Sequence, residues 1–274
     1  MSENESFKAL VAERAAAKAA NPGVKRDQPK LRPRDAATLI IIDSEGAAPR
    51  VLLGKRRDDL KFMPGKYVFP GGRLDADDKT MTAARELRPS EIDKLLLDMK
   101  GHPSAARARG LAMTAIRETF EEAGLIIGGA APASAPEVAP PAENPSLESP
   151  ASKTWRQFQA HGFVPDLAPL TFLARAITPP GRPRRFDTRF FCVEGSAIAK
   201  TTDQNDGELS GLVWMTLVEA RDLDLPPITR VILEDLAGRI AERTLDDPSV
   251  PIPYYFNRNG TFRREMLHLA APID

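Results

Sequence analysis

Three glutamates between Arg117 and Leu125 are spaced so that a helix would present them on one face. At 100° per residue, Glu118, Glu121 and Glu122 fall within an arc of about 100°. Like charges held this close repel one another unless cations neutralise them, and carboxylate oxygens suit Mg²⁺ or Mn²⁺. Such ions screen phosphate charge and activate water, which is what diphosphate cleavage needs. The spacing therefore predicts metal-assisted cleavage, and a solvated acidic helix face is the alternative.

The opposite side of the same helix is suited to a protein core. Small or apolar residues and one threonine recur there at helical spacing: Ala112, Ile116, Thr119, Phe120 and Ala123. We expect the helix to run from Leu111 to Ala123 and to end at Gly124, because glycine is common just after helix C-termini. One face can then pack into a core while the other presents the carboxylates.

A glycine pair upstream completes a recognisable pattern. Gly71 and Gly72 follow a strand in the stretch Phe-Pro-Gly-Gly-Arg-Leu-Asp, where the missing side chains let backbone approach a metal or phosphate closely. The two segments together resemble the Nudix box, Gly-x5-Glu-x7-Arg-Glu-U-x-Glu-Glu-x-Gly-U, in which U is aliphatic. The second half of the box matches at six positions: Arg117, Glu118, Glu121, Glu122, Gly124 and Leu125.

The first half of the box departs from the family pattern. Asp78 stands where the first glutamate is expected, and 38 residues separate it from Arg117 in place of 7. The inserted segment, 79–110, has its own helix start at Pro89-Ser90-Glu91 and apolar residues at helical spacing behind it. We expect a helical insertion that packs beside the site and leaves the box geometry intact; the role of Asp78 stays open.

Upstream of the box, Leu52-Leu53-Gly54-Lys55-Arg56 leads in register to Lys61, Gly65 and Phe69-Pro70-Gly71-Gly72. This stretch resembles the coenzyme A (CoA) diphosphatase signature Leu-Leu-Thr-x-Arg-(Ser/Ala)-x3-Arg-x3-Gly-x3-Phe-Pro-Gly-Gly. Three positions differ from it: Gly54, Arg57 and Lys61. The chain thus resembles the CoA-diphosphatase-like branch of Nudix hydrolases that has an interrupted box.

The resemblance implies a fold and a set of roles. The fold is an α/β class, α/β/α Nudix sandwich with a mixed central sheet, here with a helical insertion. Glu118, Glu121 and Glu122 match metal-binding carboxylates, with Glu118 or Glu121 also serving as base for the attacking water. The Gly72 carbonyl matches a metal ligand for Mg²⁺ or Mn²⁺. Arg117 matches the residue that braces the helix by pairing with an acid of the box.

Further candidate residues have weaker patterns. Glu208, six residues before Trp214, is a candidate for a further metal ligand or base, with an ordinary loop glutamate as the alternative. A basic cluster is suited to substrate phosphates, with a charged hairpin edge as the alternative: Arg56, Arg57 and Lys61. A second basic group lies in a loop rich in proline and glycine and is expected to be solvated: Arg182, Arg184 and Arg185.

The expected reaction is hydrolysis of CoA or acyl-CoA to a phosphopantetheine product and adenosine 3′,5′-bisphosphate. The alternatives are a diphosphatase for ADP-ribose, dinucleotides or nucleotide sugars, and a catalytically silent Nudix fold that senses a ligand. A silent version would be expected to lack some metal carboxylates, and this box keeps all three on the helix. The expected partner is a small nucleotide diphosphate, and the resemblance is compatible with a homodimer.

Composition limits the other function classes. The chain has 38 basic and 38 acidic residues, so net charge gives no indication of nucleic acid or membrane partners. The single cysteine, Cys192, excludes an internal disulfide and a cysteine-based zinc site, and we expect a buried strand thiol. No apolar run approaches a membrane span, and the start lacks a secretory pattern. We expect a cytoplasmic protein.

The chain is expected to have an N-terminal extension, 1–35, with a helix at 7–20, followed by one Nudix domain at 36–274. An alanine- and proline-rich stretch, 129–150, is expected to form a flexible surface loop within that domain. Strands interleave with helices along the domain, which favours an α/β class. The predicted strands lie at 37–42, 51–53, 170–176, 188–193 and 212–215, and further predicted helices lie at 154–161 and 227–242.

Overall fold

A computed structural model of the chain describes residues 4–20, 31–46, 48–59, 65–131, 149–203 and 209–269. The strands are β1 (Arg34–Asp43), β2 (Arg50–Arg56), β3 (Tyr67–Val68), β4 (Gly71–Arg73), β5 (Leu125–Gly129), β6 (Val164–Pro165), β7 (Thr171–Ile177), β8 (Phe186–Glu194), β9 (Ile198–Thr201), β10 (Leu209–Thr216), β11 (Ile252–Arg258) and β12 (Thr261–Leu267). The helices are α1 (Glu5–Ala20), α2 (Pro89–Leu96), α3 (Ala105–Ala123), α4 (Pro150–Ala160), α5 (Leu217–Arg221) and α6 (Pro227–Ala241).

A mixed nine-stranded sheet forms the middle layer, with the order β10-β2-β1-β8-β7-β11-β12. Strand β3 pairs with β2, and β4 pairs with β1. The pairs β1–β8 and β7–β11 are parallel, whereas β1–β2, β7–β8 and β11–β12 are antiparallel. A smaller three-stranded sheet has the order β6-β5-β9. The predicted α/β class with a mixed central sheet is confirmed.

Strand β1 shows why the sheet is covered on both faces. Its run of four apolar residues sends alternate side chains to opposite sides, as any strand does. Leu39 and Ile41 pack in a core with α2, α3 and α4, whereas Ile40 and Ile42 pack in a second core with α1, α5 and α6. Two helical layers therefore enclose the sheet.

Helix α3 lies against β1 and carries the predicted glutamates. Ser104 caps its N-terminus by accepting a hydrogen bond from the Arg107 amide at 3.2 Å. At the other end Gly124 has a φ of 67°, and its amide bonds to the Phe120 carbonyl at 2.9 Å. The predicted C-terminus is confirmed, and the helix begins six residues earlier than the predicted Leu111.

The segment between Asp78 and Arg117 packs on the α3 side of the sheet. Helix α2 buries an ion pair between Glu91 and Lys94 at 3.0 Å, and Glu91 also accepts a hydrogen bond from the Phe172 amide on β7 at 2.6 Å. The Leu95 side chain is buried in the same core as α3. These contacts attach the inserted segment to the sheet. Asp78, which precedes the segment, and Arg117, which follows it, therefore lie close together.

The N-terminal helix and the C-terminal hairpin pack together on the other side of the sheet. Leu10 of α1 is buried, and the Phe7 ring lies 5.6 Å from both Tyr255 and Phe262. The predicted N-terminal extension thus contributes α1 to the second core, and the first strand begins at Arg34, two residues before the predicted domain boundary. Sequence analysis did not predict the hairpin β11–β12.

Other predicted elements fall close to their observed positions. Strands β1 and β2 contain the predicted strands at 37–42 and 51–53 and pair in antiparallel fashion, and α6 lies within the predicted helix at 227–242. Most of the predicted loop at 129–150 lies outside the described residues, and Gly129 and Pro150 belong to β5 and α4. Across the part of the chain that the structure describes, no helix is long and apolar enough to cross a bilayer.

Candidate active site

Helix α3 presents its predicted polar face toward the short strand β4. Arg117 and Glu122 are buried, the Glu118 side chain is 14% exposed, and the Glu121 side chain is 46% exposed. The opposite side of the helix is fully buried around Ile116. The helix therefore fixes the backbone of the polar residues while it leaves their carboxylates at an accessible edge.

The two glycines of β4 meet the glutamates of α3 directly. The Gly71 amide donates a hydrogen bond to Glu122 Oε2 at 3.0 Å. A Cβ atom added at Gly72 would overlap the carboxyl group of Glu118, and one added at Gly71 would overlap Thr38 and the Ala37 carbonyl of β1. At Gly71 the obstacle includes the backbone of β1, so glycine is required there, whereas at Gly72 the obstacle is the flexible end of the Glu118 side chain. The glycine pair and the glutamate helix thus come together across the inserted segment.

Asp78 is the buried partner of Arg117. Its Oδ1 accepts from Arg117 Nε at 2.8 Å, and its Oδ2 accepts from Arg117 Nη2 at 3.1 Å. Its carboxylate also accepts from the Trp155 ring N–H at 3.0 Å, the Thr114 hydroxyl at 2.8 Å and the Asp75 amide at 3.0 Å. Asp78 is fully buried, so these bonds replace its lost hydration. The role left open by the sequence is therefore to hold Arg117.

Arg117 joins the two halves of the site. Besides Asp78, it contacts the Arg73 carbonyl on β4 at 3.0 Å, Glu118 at 2.9 Å and Glu121 at 3.3 Å. Burial by itself would lower the pKa of this guanidinium, but its bonds to the acids raise the pKa above the ordinary arginine value. Arg117 thus remains a fixed cation that positions two carboxylates and one strand.

Glu118 has the most perturbed carboxyl group of the helix face. Burial, opposed by Arg117 and reinforced by the charge of Glu121, raises its pKa from 4.5 to about 7. A carboxylate in this state is short of compensating positive charge. The group can therefore exchange a proton near neutral pH or be held ionised by an added cation.

Comparisons with known proteins agree with this geometry. No model of a protein family matches the chain. Acyl-coenzyme A diphosphatase NUDT19 from Gallus gallus is 28% identical over 242 residues, which cover 70% of this chain and 63% of that relative. Nudix hydrolase 15, mitochondrial, from Arabidopsis thaliana is 35% identical over 79 residues, 26% of this chain and 28% of that relative. The chain thus spans less than two thirds of the length of either protein.

A solved structure extends the likeness to the fold. The crystal structure of a Nudix hydrolase from Alicyclobacillus acidocaldarius is 27% identical, with a TM-score of 0.53, and the match covers 78% of this chain and 96% of that structure. In sequence and in fold the chain is similar to Nudix hydrolases. Its Nudix box is the one formed by β4 and α3, and its α/β/α architecture is the Nudix fold.

The Nudix box of this chain has donors that fit a hard divalent cation, namely glutamate carboxylates and a nearby backbone carbonyl. Within the described ranges, however, no three acidic, histidine or cysteine side chains converge in a metal-binding arrangement. Glu118 is engaged by Arg117 at 2.9 Å, Glu121 by the Thr154 hydroxyl at 3.1 Å, and Glu122 by the Gly71 amide. Binding a metal here would require the carboxylates to turn from these donors.

The structure describes only some of the candidate residues that lie beyond the Nudix box. Arg56 ends β2, and Arg57 follows it and donates to the exposed Asp59 at 2.8 and 3.0 Å. Lys61 and Glu208 lie outside the described residues. Their expected contributions to substrate and metal binding stay predictions.

Sequence reasoning missed the support that α4 gives to the Nudix box. Trp155 donates to Asp78, and Thr154 donates to Glu121, so this helix contacts both ends of the polar network. The sequence predicted a helix at 154–161. It contained no pattern that linked these residues to the box, because 76 residues separate Asp78 from Trp155.

The prediction that Cys192 is a buried thiol on a strand is confirmed. Its thiol is buried and free, and burial raises the thiol pKa to about 12. A thiol with so high a pKa is protonated at neutral pH, so it is a poor nucleophile. Its place on β8 is structural.

Proposed function

We propose that this chain is a metal-dependent diphosphatase that hydrolyses CoA or acyl-CoA at the diphosphate. The observation that carries the proposal is the meeting of Gly71 and Gly72 with the carboxylates of α3, held by the buried Arg117–Asp78 pair. On this helix face the Glu118 carboxyl group has a pKa near 7 and lies close to the exposed carboxylate of Glu121. Perturbed carboxyl groups of this kind are typical of sites that activate water and are unfavourable for stability.

The proposed metal ligands are the carboxylates of Glu118, Glu121 and Glu122 with the Gly72 carbonyl, and Glu208 is a further candidate. Bound Mg²⁺ or Mn²⁺ would screen the substrate's negative charge and promote ionisation of water. Oxygen donors of this kind discriminate against softer metals. Arg117 would stay paired with Asp78 during turnover, because separating two buried charges costs several kcal/mol.

Glu118 is the proposed general base, with Glu121 as the alternative. In the metal-free protein burial raises the Glu118 pKa to about 7, and a bound cation would lower that pKa and keep the carboxylate in the ionised form that can accept a proton. Its carboxylate would take a proton from the attacking water while the water oxygen bonds to phosphorus. The bond from that phosphorus to the bridging oxygen breaks, and the products are phosphopantetheine, or its acyl form, and adenosine 3′,5′-bisphosphate.

Two observations support a CoA-type substrate over other nucleotide diphosphates. The stretch from Leu52 to Gly72 matches the CoA-diphosphatase signature in register, and the relative from Gallus gallus is named an acyl-CoA diphosphatase. The signature stretch runs through β2 and β3 into β4, and so leads into the Nudix box. Arg56 and Arg57 are therefore proposed to meet the substrate's phosphates, together with Lys61.

A substrate panel tests the proposal. Purified protein would be assayed with Mg²⁺ or Mn²⁺ against CoA, acetyl-CoA, 3′-dephospho-CoA, ADP-ribose, NADH and a dinucleoside polyphosphate. We expect the highest kcat/KM for CoA or acetyl-CoA. A preference for ADP-ribose or a dinucleotide would reassign the substrate within the Nudix family, and no turnover of any compound would favour the catalytically silent alternative.

A further inference from the structure

A cavity of about 500 Å³ lies at the start of β1, beside the loop that leads into β8. Five of its lining residues are arginines from three separate segments of the chain: Arg32, Arg34, Arg73, Arg184 and Arg185. The other lining residues are uncharged: Leu31, Pro183 and Phe186. We name it the arginine cavity.

The positive charge of the arginine cavity is poorly compensated. No carboxylate belongs to the described residues that line it. Among the described residues, the side chains of Arg32, Arg34, Arg73 and Arg184 form no ion pair. Several guanidinium groups that face one space repel one another, and an anion in that space would relieve the repulsion. Guanidinium groups are suited to phosphate because their planar N–H groups match its oxygens.

The walls of the cavity are held in place before any ligand binds. Arg185 donates to the Thr178 carbonyl at 3.0 Å and to the Leu31 carbonyl at 2.6 Å. Its own carbonyl accepts from the Arg34 amide at 2.9 Å. These bonds tie the segment before β1 to the loop before β8, so a ligand would lose little affinity to ordering the walls.

The arginine cavity adjoins the Nudix box through one residue. Arg73 follows Gly72 in β4, and its carbonyl accepts from Arg117 while its side chain lines the cavity. Arg73 pairs with Ala36 on β1, and Arg34 lies two residues away on the same side of that strand, about 7 Å along it. Successive side chains of a strand alternate between faces, so Arg73 and Arg34 lie on the face of the sheet opposite to the Gly72–Glu118 contact. A ligand bound at the box would reach the cavity around the exposed side chain of Arg73.

We propose that the arginine cavity binds a phosphate of the substrate that is not part of the cleaved diphosphate. The proposal rests on the proposed function for the identity of the substrate, and for CoA this group is the 3′-phosphate. It assigns recognition of the 3′-phosphate to Arg34 and Arg184 and leaves the phosphates of the cleaved diphosphate to Arg56, Arg57 and Lys61. Arg184, one of the loop arginines expected to be solvated, thereby acquires a ligand.

The test compares the double variant Arg34→Gln/Arg184→Gln with the control Arg182→Gln. Arg182 is an exposed arginine of the same loop that does not line the cavity, so the control removes a nearby charge. Isothermal titration calorimetry without divalent metal would use adenosine 3′,5′-bisphosphate and adenosine 5′-monophosphate as probes. We expect the native protein to prefer the bisphosphate tenfold or more, the double variant to lose that preference and Arg182→Gln to keep it.

Hydrolysis separates failure of this inference from failure of the proposed function. The companion measurement is the ratio of kcat/KM for CoA to that for 3′-dephospho-CoA. If the native protein cleaves CoA but Arg34→Gln/Arg184→Gln keeps the native ratio, or Arg56→Ala alone abolishes it, the cavity assignment is overturned and the function stands. If no diphosphate is cleaved but bisphosphate binding still depends on Arg34 and Arg184, the cavity stands and the function fails.

Folding of the variants is checked by circular dichroism and size-exclusion chromatography, and the single variants Arg34→Gln and Arg184→Gln serve if the double variant is unstable. Each single variant should lower the bisphosphate preference by about threefold or more. Equal losses for both probes, or the same loss in Arg182→Gln, would show a general effect of positive charge and would overturn the proposal.

Discussion

Replacing Glu118 by glutamine should stabilise the metal-free protein at alkaline pH while it removes activity. The glutamine keeps the shape and can still accept a hydrogen bond from Arg117, but it cannot ionise. The Glu118 carboxyl is 14% exposed, and burial raises its pKa from 4.5 to about 7. The folded state therefore favours the neutral form of this side chain more than the unfolded state does.

The sign and size of the effect follow from these two pKa values. A folded-state pKa above the unfolded value gives stability that is fully present below pH 4.5 and is lost as pH rises to about 7. A tenfold change in proton affinity corresponds to about 1.4 kcal/mol. The raised pKa thus costs about 3 kcal/mol of unfolding free energy at pH 8, where Glu118 is ionised in both states, and about 1 kcal/mol at pH 5, where folding must protonate it. Glu118→Gln removes that cost.

The assay is urea unfolding followed by circular dichroism, with EDTA present, at pH 5 and pH 8. We expect Glu118→Gln to raise the free energy of unfolding by about 3 kcal/mol at pH 8 and by about 1 kcal/mol at pH 5. Glu121→Gln is the matched control because its side chain is 46% exposed, so its effect should stay within about 0.5 kcal/mol. A gain independent of pH, or a loss of stability at pH 8, would refute the assignment of Glu118 as a strained carboxylate.

Four further substitutions test the remaining parts of the site. Glu121→Gln and Glu122→Gln should each leave less than about a tenth of native turnover at saturating metal, with circular dichroism unchanged, because each removes a metal donor. Gly72→Ala should lower kcat at least tenfold with a small change in stability, since the added Cβ meets only the flexible end of Glu118; full activity would contradict this contact. Asp78→Asn should lower the free energy of unfolding by about 3 to 5 kcal/mol in a denaturant titration, because it leaves buried Arg117 without its counter-charge. Native stability of that variant would show that Arg117 has other sufficient partners.

The glutamate helix could be predicted because its signal is local. Three carboxylates on one side and apolar residues on the other fix both the element and its orientation, and Gly124 fixes its end. The start of α3 was predicted less well because Ser104 caps a first turn that has few large apolar residues. The two cores could be anticipated from strands such as Leu39-Ile40-Ile41-Ile42, which are apolar on both faces.

The partner of Arg117 could not be predicted from spacing. Asp78 lies 39 positions away along the chain, and only the packing of the inserted segment returns it to the helix. The contacts of Trp155 and Thr154 depend in the same way on how α4 packs, which local sequence does not specify. Long-range side-chain partners of this kind are decided by tertiary structure.

The C-terminal hairpin was missed although its signal is present. Asn259-Gly260 follows the run Ile-Pro-Tyr-Tyr-Phe, and Asn-Gly is a strong indicator of a two-residue hairpin turn. The structure gives these two residues φ values of 53° and 78°, the positive values that such a turn requires. The arginine cavity was also unpredictable, because its residues come from three segments that only the sheet brings together.

The most direct test of the central claim is hydrolysis of CoA by the native protein and by Glu122→Gln, each with Mg²⁺ or Mn²⁺ and with excess EDTA. Products would be identified by mass spectrometry after reaction in ¹⁸O-labelled water. We expect phosphopantetheine and adenosine 3′,5′-bisphosphate, one of them carrying ¹⁸O, from the native protein with metal only. Turnover that persists in EDTA, or equal turnover by folded Glu122→Gln, would contradict a metal-dependent diphosphatase site on the glutamate face of α3.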